Sequence, residues 1–142
     1  MMKNRLLTIM LVLLISITLV GAVAVVVIWK VSANDPNQEP TIDDIIEMSV
    51  DIPEVTTNLK DDKYVKISLK MQTDSKKAKE ELQKRDFQIK NILIEELSEM
   101  QSKDLDGKTG KVKLQEMIRN RTNSLMQEGK IQKVYITSYI IQ

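Results

Sequence analysis

The sequence of 142 residues contains no cysteine and no histidine. Without cysteine the chain cannot be held together by disulfides, so its folded part depends on its apolar core. The same two absences exclude zinc sites built from Cys and His side chains. They also exclude nucleophilic catalysis by Ser-His-Asp or Cys-His groups, so the commonest hydrolytic constellations are ruled out before any element is placed.

Charge is missing from one long stretch near the N-terminus, Leu6 to Trp29, which spans 24 residues. A helix of that length reaches about 36 Å, enough to cross a hydrocarbon core of about 30 Å with some tilt. We therefore predict a transmembrane helix over residues 6–29, with Leu14 and Gly21 in its interior. An ion pathway or proton relay usually needs an ionisable residue at depth, so this anchor is not expected to conduct ions.

The flanks of this run predict its orientation. Lys3 and Arg5 precede it, and a mildly acidic stretch follows it. The positive-inside rule therefore predicts residues 1–5 as a cytoplasmic N-terminus and the rest of the chain outside the cytoplasm. A cleaved signal peptide is the alternative, because small residues allow cleavage after Ala33, but signal peptides usually have apolar regions of only roughly 7–15 residues.

One domain is predicted beyond the anchor, over residues 42–142, because about 100 residues is an ordinary size for a single domain. Residues 30–41 contain two prolines among polar side chains and are predicted to be a short linker. Beyond the anchor and its flanks, the chain carries 18 basic and 20 acidic residues. Such a balance gives no reason to expect a nucleic-acid partner.

Alternating apolar residues predict three strands at the start of this domain. The first covers Met48–Ile52 and is ended by Pro53, and the second covers Val55–Leu59. The third, Tyr64–Thr73, has the clearest alternation and forms a hairpin with the second. One face of this hairpin is expected to be solvated.

The next segments change to a helical period. Apolar residues at three- and four-residue steps predict one long helix to about Gln101, then a shorter helix that stops at Gly129. The last strand, Ile131–Ile141, is apolar on both faces and is expected inside the sheet, with Ile140 and Tyr139 on opposite sides. The predicted fold is α+β in the order β-β-β-α-α-β, with helices packed on one side of a mainly antiparallel sheet.

Three acidic features were considered as chemical sites. The loop Ser102–Thr109 resembles an EF-hand loop and a P-loop but satisfies neither, because Lys113 stands at the bidentate Glu position and the first P-loop glycine is missing. It is interpreted as a capped turn between helices. The pairs Asp43-Asp44 and Asp61-Asp62 leave open an envelope hydrolase with two carboxylates, although neighbouring acids in a turn seldom converge. No cofactor or metal site is predicted.

The order of these pieces resembles the FliL family of flagellar basal body-associated proteins, in its short Gram-positive form. The resemblance starts at the anchor and rests on Val55–Leu59 before an acidic turn, Tyr64–Leu69, a helix leading into Ile89–Leu97, and Gly129–Gln142. The positions that carry the family pattern are Asn58, Leu59, Tyr64, Leu82, Leu93, Leu97, Leu125, Gly129, Val134 and Tyr135.

Membership in this family would imply a stomatin-like (SPFH-like) domain that assembles as a ring-like homo-oligomer at the basal body. It would also imply a non-enzymatic accessory role beside stator proteins of the MotA/MotB type, supporting stator engagement, torque and swimming or swarming motility. The polar face of the long helix is the expected contact surface. An anchored adaptor of another envelope complex is the alternative from a different class of function.

Overall fold

The computed structural model describes residues 2–32 and 38–142, in two compact units that divide after Glu39. The first unit is one helix, α1 (Met2–Ser32), and among the described residues it is the helix long and apolar enough to cross a membrane. It extends past the uncharged run at both ends, since no proline interrupts its hydrogen bonds there. The first three residues of the predicted linker, 30–32, belong to α1. Residues 33–37, with Pro36 and the alternative cleavage position after Ala33, lie outside the described residues.

The second unit contains one antiparallel sheet of three strands in the order β1-β2-β3. Its strands are β1 (Ser49–Asn58), β2 (Tyr64–Thr73) and β3 (Ile131–Ile141). Its helices are α2 (Ile42–Glu47), α3 (Lys76–Lys84), α4 (Asp86–Ser98), a 3-10 turn (Ser102–Leu105) and α5 (Gly107–Leu125). The α+β class, the antiparallel pairing and the positions of β2 and β3 are therefore confirmed.

Strand β1 replaces the two strands predicted before β2, so the sheet has three strands instead of four. Pro53 lies in a bulge, where the register shifts between Ile52, opposite Leu69, and Val55, opposite Ile67. A proline is tolerated here because β1 is an edge strand, so its missing N–H breaks no ladder. The extra residue keeps both Ile52 and Val55 on the buried face.

Helix α2 was not predicted, although its start signal stands in the sequence. Thr41 and Asp44 form a capping box, in which the Thr41 hydroxyl accepts from the Asp44 N–H and the Asp44 carboxylate accepts from the Thr41 N–H. The pattern of a Ser or Thr followed three residues later by an acid is a known helix start. The helix is only six residues long, so its apolar period was too short to recognise.

The single long helix predicted after β2 is in fact two helices, α3 and α4, which meet at Arg85. The Arg85 N–H donates to the carbonyls of both Glu81 and Leu82, which closes α3. The sequence has neither glycine nor proline here, so the break is imposed by packing. Helix α3 contacts β1 and β2, whereas α4 packs on β1 and α5, and one straight helix would lose one of these contacts.

Strand β3 lies at an edge of the sheet, and its predicted faces are wrong beyond Thr137. A register shift at this residue places Ile136 opposite Leu69 and Tyr139 opposite Ile67. Ile136 and Tyr139 therefore share the core face, while Ile140 turns to solvent. One inserted residue exchanges the faces on which the following side chains lie, and the local sequence pattern does not predict such a bulge.

The free edge of β3 is covered by side chains of α5. The Gln115 amide donates to the Val134 carbonyl at 2.8 Å. The Asn123 side chain makes a two-way contact with the backbone of Ile131, accepting from its N–H at 2.7 Å and donating to its carbonyl at 3.2 Å. These bonds satisfy backbone groups that an edge strand leaves open, and they attach α5 to the sheet.

We predict that Asn123→Ala destabilises the domain by about 1–3 kcal/mol, because a half-buried backbone N–H and carbonyl lose their partner. Thermal unfolding of the full chain in mild detergent measures this change. Asn91→Ala is the matched control, since Asn91 is an exposed helical asparagine that bonds only to Glu95. Equal melting temperatures for the two variants would show that the Asn123 contact does not hold the edge.

Candidate functional surface

All described side chains of α1 are exposed, including the anchor positions Leu6, Leu14, Gly21 and Trp29. An apolar helix with exposed side chains along its length suits a lipid environment. An added Cβ at Gly21 would meet nothing within 4 Å, so this position is smooth and open. The helix therefore presents an uninterrupted apolar surface suited to membrane insertion.

The polar groups inside the uncharged run are all satisfied within the helix. Each hydroxyl donates to the carbonyl four residues earlier: Thr8 to Asn4 at 2.7 Å, Ser16 to Val12 at 2.8 Å, and Thr18 to Leu14 at 2.8 Å. A hydrocarbon surrounding offers no hydrogen bonds, so such internal pairing is what a spanning helix requires.

Most of the family-pattern positions belong to the core. Five of them are buried: Leu59, Leu82, Leu93, Leu97 and Val134. Leu125 is half-buried and packs against the same cluster. These side chains lie between the helices and the sheet, where they hold the domain together, and they form no site for a ligand.

Three family-pattern residues lie on the other, outer face of the sheet. Asn58 and Tyr64 are opposite each other across β1 and β2, and both are exposed. The Tyr135 hydroxyl donates to the Gln72 side chain at 3.2 Å, and the Lys133 ammonium lies 5.1 Å from the Tyr135 ring. This outer face is polar and lysine-containing, and it carries the pattern residues that packing does not explain.

Gly129 lies in the turn before β3, beyond the end of α5 at Leu125, so the predicted helix stop there is wrong. Its φ of +136° is a conformation open to glycine alone. A Cβ at this position would lie 2.4 Å from the Asp74 carboxylate and 2.9 Å from the Ala78 Cβ. The turn thus needs glycine both for its backbone and for its close approach to α3.

Glu81 stabilises the turn before β3 that contains Gly129. Its carboxylate accepts the backbone N–H groups of Gln127 and Glu128 at 2.7–3.0 Å and pairs with Arg85 at 2.8 Å. A glutamate on an amphipathic helix is expected to face solvent, but the Glu81 side chain is only 13% exposed. Burial alone would raise the pKa of Glu81, but the Glu128, Gln127 and Arg85 hydrogen bonds outweigh burial and lower it.

The acidic turns have structural partners. Asp61 accepts from the Ser102 N–H at 3.1 Å and from its hydroxyl, and this hydroxyl holds the pKa of Asp61 below its ordinary range. Asp104 accepts from the Gln101 N–H at 2.8 Å. The capped-turn interpretation of the loop is confirmed, and these acids close turns between elements.

A groove of about 550 Å³ between α4 and α5 is the place where a catalytic cleft could lie, and it contains Glu95 and Arg121. Glu95 pairs with Arg121 at 3.0 Å, and this bond lowers the pKa of Glu95. Glycoside hydrolysis needs a carboxylic acid with a raised pKa. In the described residues, every carboxyl group whose pKa clearly shifts has it lowered, and no three acids converge on a possible metal site.

The fold and its surfaces define a class: an α+β domain that follows an N-terminal helix suited to a membrane, with acids used in turns and ion pairs. The family described as "Flagellar basal body-associated protein FliL" matches residues 49–142. Flagellar protein FliL of Bacillus subtilis (strain 168) is 45% identical over 102 residues, 72% of this chain and 73% of that protein. The chain therefore belongs to the FliL family of flagellar basal body-associated proteins.

A second relative is more distant. Flagellar protein FliL of Aquifex aeolicus (strain VF5) is 28% identical over 79 residues, which are 56% of this chain and 49% of that protein. The matched family region begins at Ser49, the first residue of β1. The shared unit is thus the sheet with its helices α3–α5, whereas α1 and α2 precede it.

We predict that Gly129→Ala lowers the free energy of unfolding by about 3 kcal/mol or more, since it combines backbone strain with a steric clash. Gly107→Ala is the matched control, because Gly107 has a φ of +67° but open space around it. That control should cost only about 1–2 kcal/mol. Denaturant unfolding of both variants measures the difference, and equal losses would contradict the close approach to α3.

We predict that Glu81→Gln lowers the melting temperature at pH 7 and makes the melting temperature change less as the pH is lowered. Because the folded-state pKa of Glu81 is lowered, its carboxylate stabilises the fold above the ordinary value of 4.5, and this stabilisation disappears as the pH falls through the lowered pKa. Melting curves from pH 7 to pH 3 test this. Glu116→Gln, at an exposed pair with Arg119, should leave the pH profile nearly unchanged.

Proposed function

We propose that this protein is a non-enzymatic accessory of the bacterial flagellar motor, held in the cell membrane by α1 beside the stator units. Family membership carries this proposal, because the matched region covers the whole sheet and helices α3–α5. The names of the relatives place them with the flagellum and say no more. The role in stator engagement, torque and motility is the part that goes beyond those names.

The proposed topology has the N-terminus in the cytoplasm and the domain outside it. Lys3 and Arg5 before the apolar helix support this orientation. The helix carries no ionisable side chain over residues 6–29, so ion flow is left to partner subunits of the MotA/MotB type. The domain would then lie where it can contact the outer parts of the stator and the basal body.

Self-association in a ring-like arrangement, with a stomatin-like domain, completes the proposal. A membrane anchor supports such assembly, because it confines the copies to one plane and raises their effective concentration. The near-neutral charge of the domain also supports it, since copies of one sign would repel one another.

We expect deletion of the gene to weaken motility, most strongly under load, without abolishing filament assembly. Fewer engaged stator units reduce torque at high viscosity more than speed at low load. Torque is measured with beads on filament stubs over a range of viscosities, and the full chain expressed in trans is the control. Normal torque and normal swarming in the deletion strain would overturn the proposal.

Location of a tagged copy separates this proposal from its rival. A fluorescent fusion at the C-terminus should coincide with flagellar bases. A diffuse signal over the membrane would instead favour an adaptor of another envelope complex. The Leu14→Lys variant should weaken the membrane signal, because a lysine at the helix centre costs about 2.5–3.5 kcal/mol of insertion free energy. The Leu14→Phe variant should keep the signal.

A further inference from the structure

Two pairs of exposed apolar side chains form small patches in the folded unit, whereas the exposed Phe87, Ile94 and Val112 belong to neither pair. The first, the α2 patch, consists of Ile42 and Ile46, which are 68% and 55% exposed and one helical turn apart. The second, the sheet-end patch, consists of Tyr64 and Ile140, which are 54% and 47% exposed on neighbouring strands. Each patch is small, so a contact at either one needs the support of rigidity and charge as well as exposure.

The α2 patch is held rigidly. A six-residue helix does not persist alone, but here the Thr41–Asp44 capping box closes its start. Its other end is fixed where the Thr73 N–H donates to the Met48 carbonyl at 3.0 Å. In addition, the Lys76 ammonium pairs with Glu47 at 2.8 Å. A preorganised apolar turn lowers the ordering cost of binding.

The sheet-end patch exists because of the Thr137 bulge, which turns Ile140 to the outer face. Lys66 lies opposite Ile140 across β2 and β3. The backbones of Tyr64 and Gln142 exchange two hydrogen bonds of 2.8 Å, which fixes this end of the strand pair. The patch is therefore an apolar surface with a positive charge beside it.

The two patches lie at opposite ends of the sheet. Helix α2 joins the sheet at Thr73, the last residue of β2, and Tyr64 is the first residue of that strand. Nine residue steps of strand separate them by about 30 Å. Neither patch can cover the other within one molecule, so a contact between them requires two molecules.

Edge-to-edge pairing of the sheets is a poor route to such a contact. The edge formed by β1 contains the Pro53 bulge, and the first part of the edge formed by β3 is covered at Ile131 and Val134 by Asn123 and Gln115 of α5. Bulges, prolines and covering side chains are devices that prevent strand addition. The faces of the domain remain available.

We propose that the α2 patch of one copy packs on the sheet-end patch of the next copy, with Asp43 of the first copy facing Lys66 of the second. Asp43 is exposed on α2 between the two isoleucines, so its negative charge complements Lys66. The partner is therefore a second copy of this chain, in a head-to-tail contact. This inference rests on the proposed self-association and specifies the surface that makes it.

A head-to-tail contact has a geometric consequence. Copies anchored in one membrane are related by rotation about the membrane normal, and a heterologous contact repeated under that rotation forms a ring when the rotation angle divides a full turn. The patches are small compared with a stable interface, which buries roughly 1,200–2,000 Å². The contact is therefore weak between free molecules and becomes populated when the anchors confine the copies to a membrane.

Cysteine cross-linking of the full chain in membranes tests this contact, and the chain has no native cysteine to interfere. A variant that combines Ile46→Cys with Ile140→Cys should give a ladder of multimers with a short bismaleimide. The control combines Ile46→Cys with Val112→Cys, an exposed position on α5, and should give no ladder. Dimers from Ile46→Cys alone, or equal ladders in both pairs, would overturn the head-to-tail contact.

Charge reversal adds a second measurement on the same ladder. Asp43→Lys alone and Lys66→Asp alone should each lower its yield by roughly twofold to fivefold, as for an exposed ion pair. The two reversals together should restore it. Losses that simply add would show that Asp43 and Lys66 do not meet.

Counting photobleaching steps of a tagged copy tests self-association separately from the contact between the α2 patch and the sheet-end patch. Clusters of several copies without the Ile46–Ile140 cross-link would overturn this contact and leave self-association standing. Single copies at every spot would overturn self-association and the contact together.

Discussion

Burial of one face of β2 under the helices is the contact on which the rest of the domain depends. Val65, Ile67, Leu69 and Met71 are at most 1% exposed, and they belong to one buried cluster with side chains of both neighbouring strands and of α3, α4 and α5. With no disulfide in the chain, this aliphatic layer supplies the main stabilisation. The bulges and the capped turns position the strands and helices that bury this layer.

A sheet covered on one side still exposes its other face and its edges, and these must not pair with strands of other molecules. The edges are blunted by the Pro53 bulge and by Gln115 and Asn123. The outer face stays polar, with lysines along β2 and an apolar end at Tyr64. Such a domain keeps defined faces for contacts while its edges resist strand addition.

Much of the fold could be predicted because its signals are local. The uncharged run up to Trp29 and the alternation of Tyr64–Thr73 are visible in single windows of sequence, and the family pattern pointed to the correct family. The surroundings of Glu81 could not be predicted from local signals. Its helical position indicates a solvated face, and its partners, Gln127 and Glu128, are more than 40 residues away. A contact of that kind exists only after α3 and β3 have been brought together.

The sequence by itself determined the apolar helix, the α+β class and the absence of Cys–His chemistry, because each depends on residue type and short-range period. Only the tertiary structure decided the break at Arg85, the single strand β1 and the outward turn of Ile140. The physical reason is the same in all three. Each follows from the need to bury the shared core without voids, and a side chain's face is set by the elements packed against it.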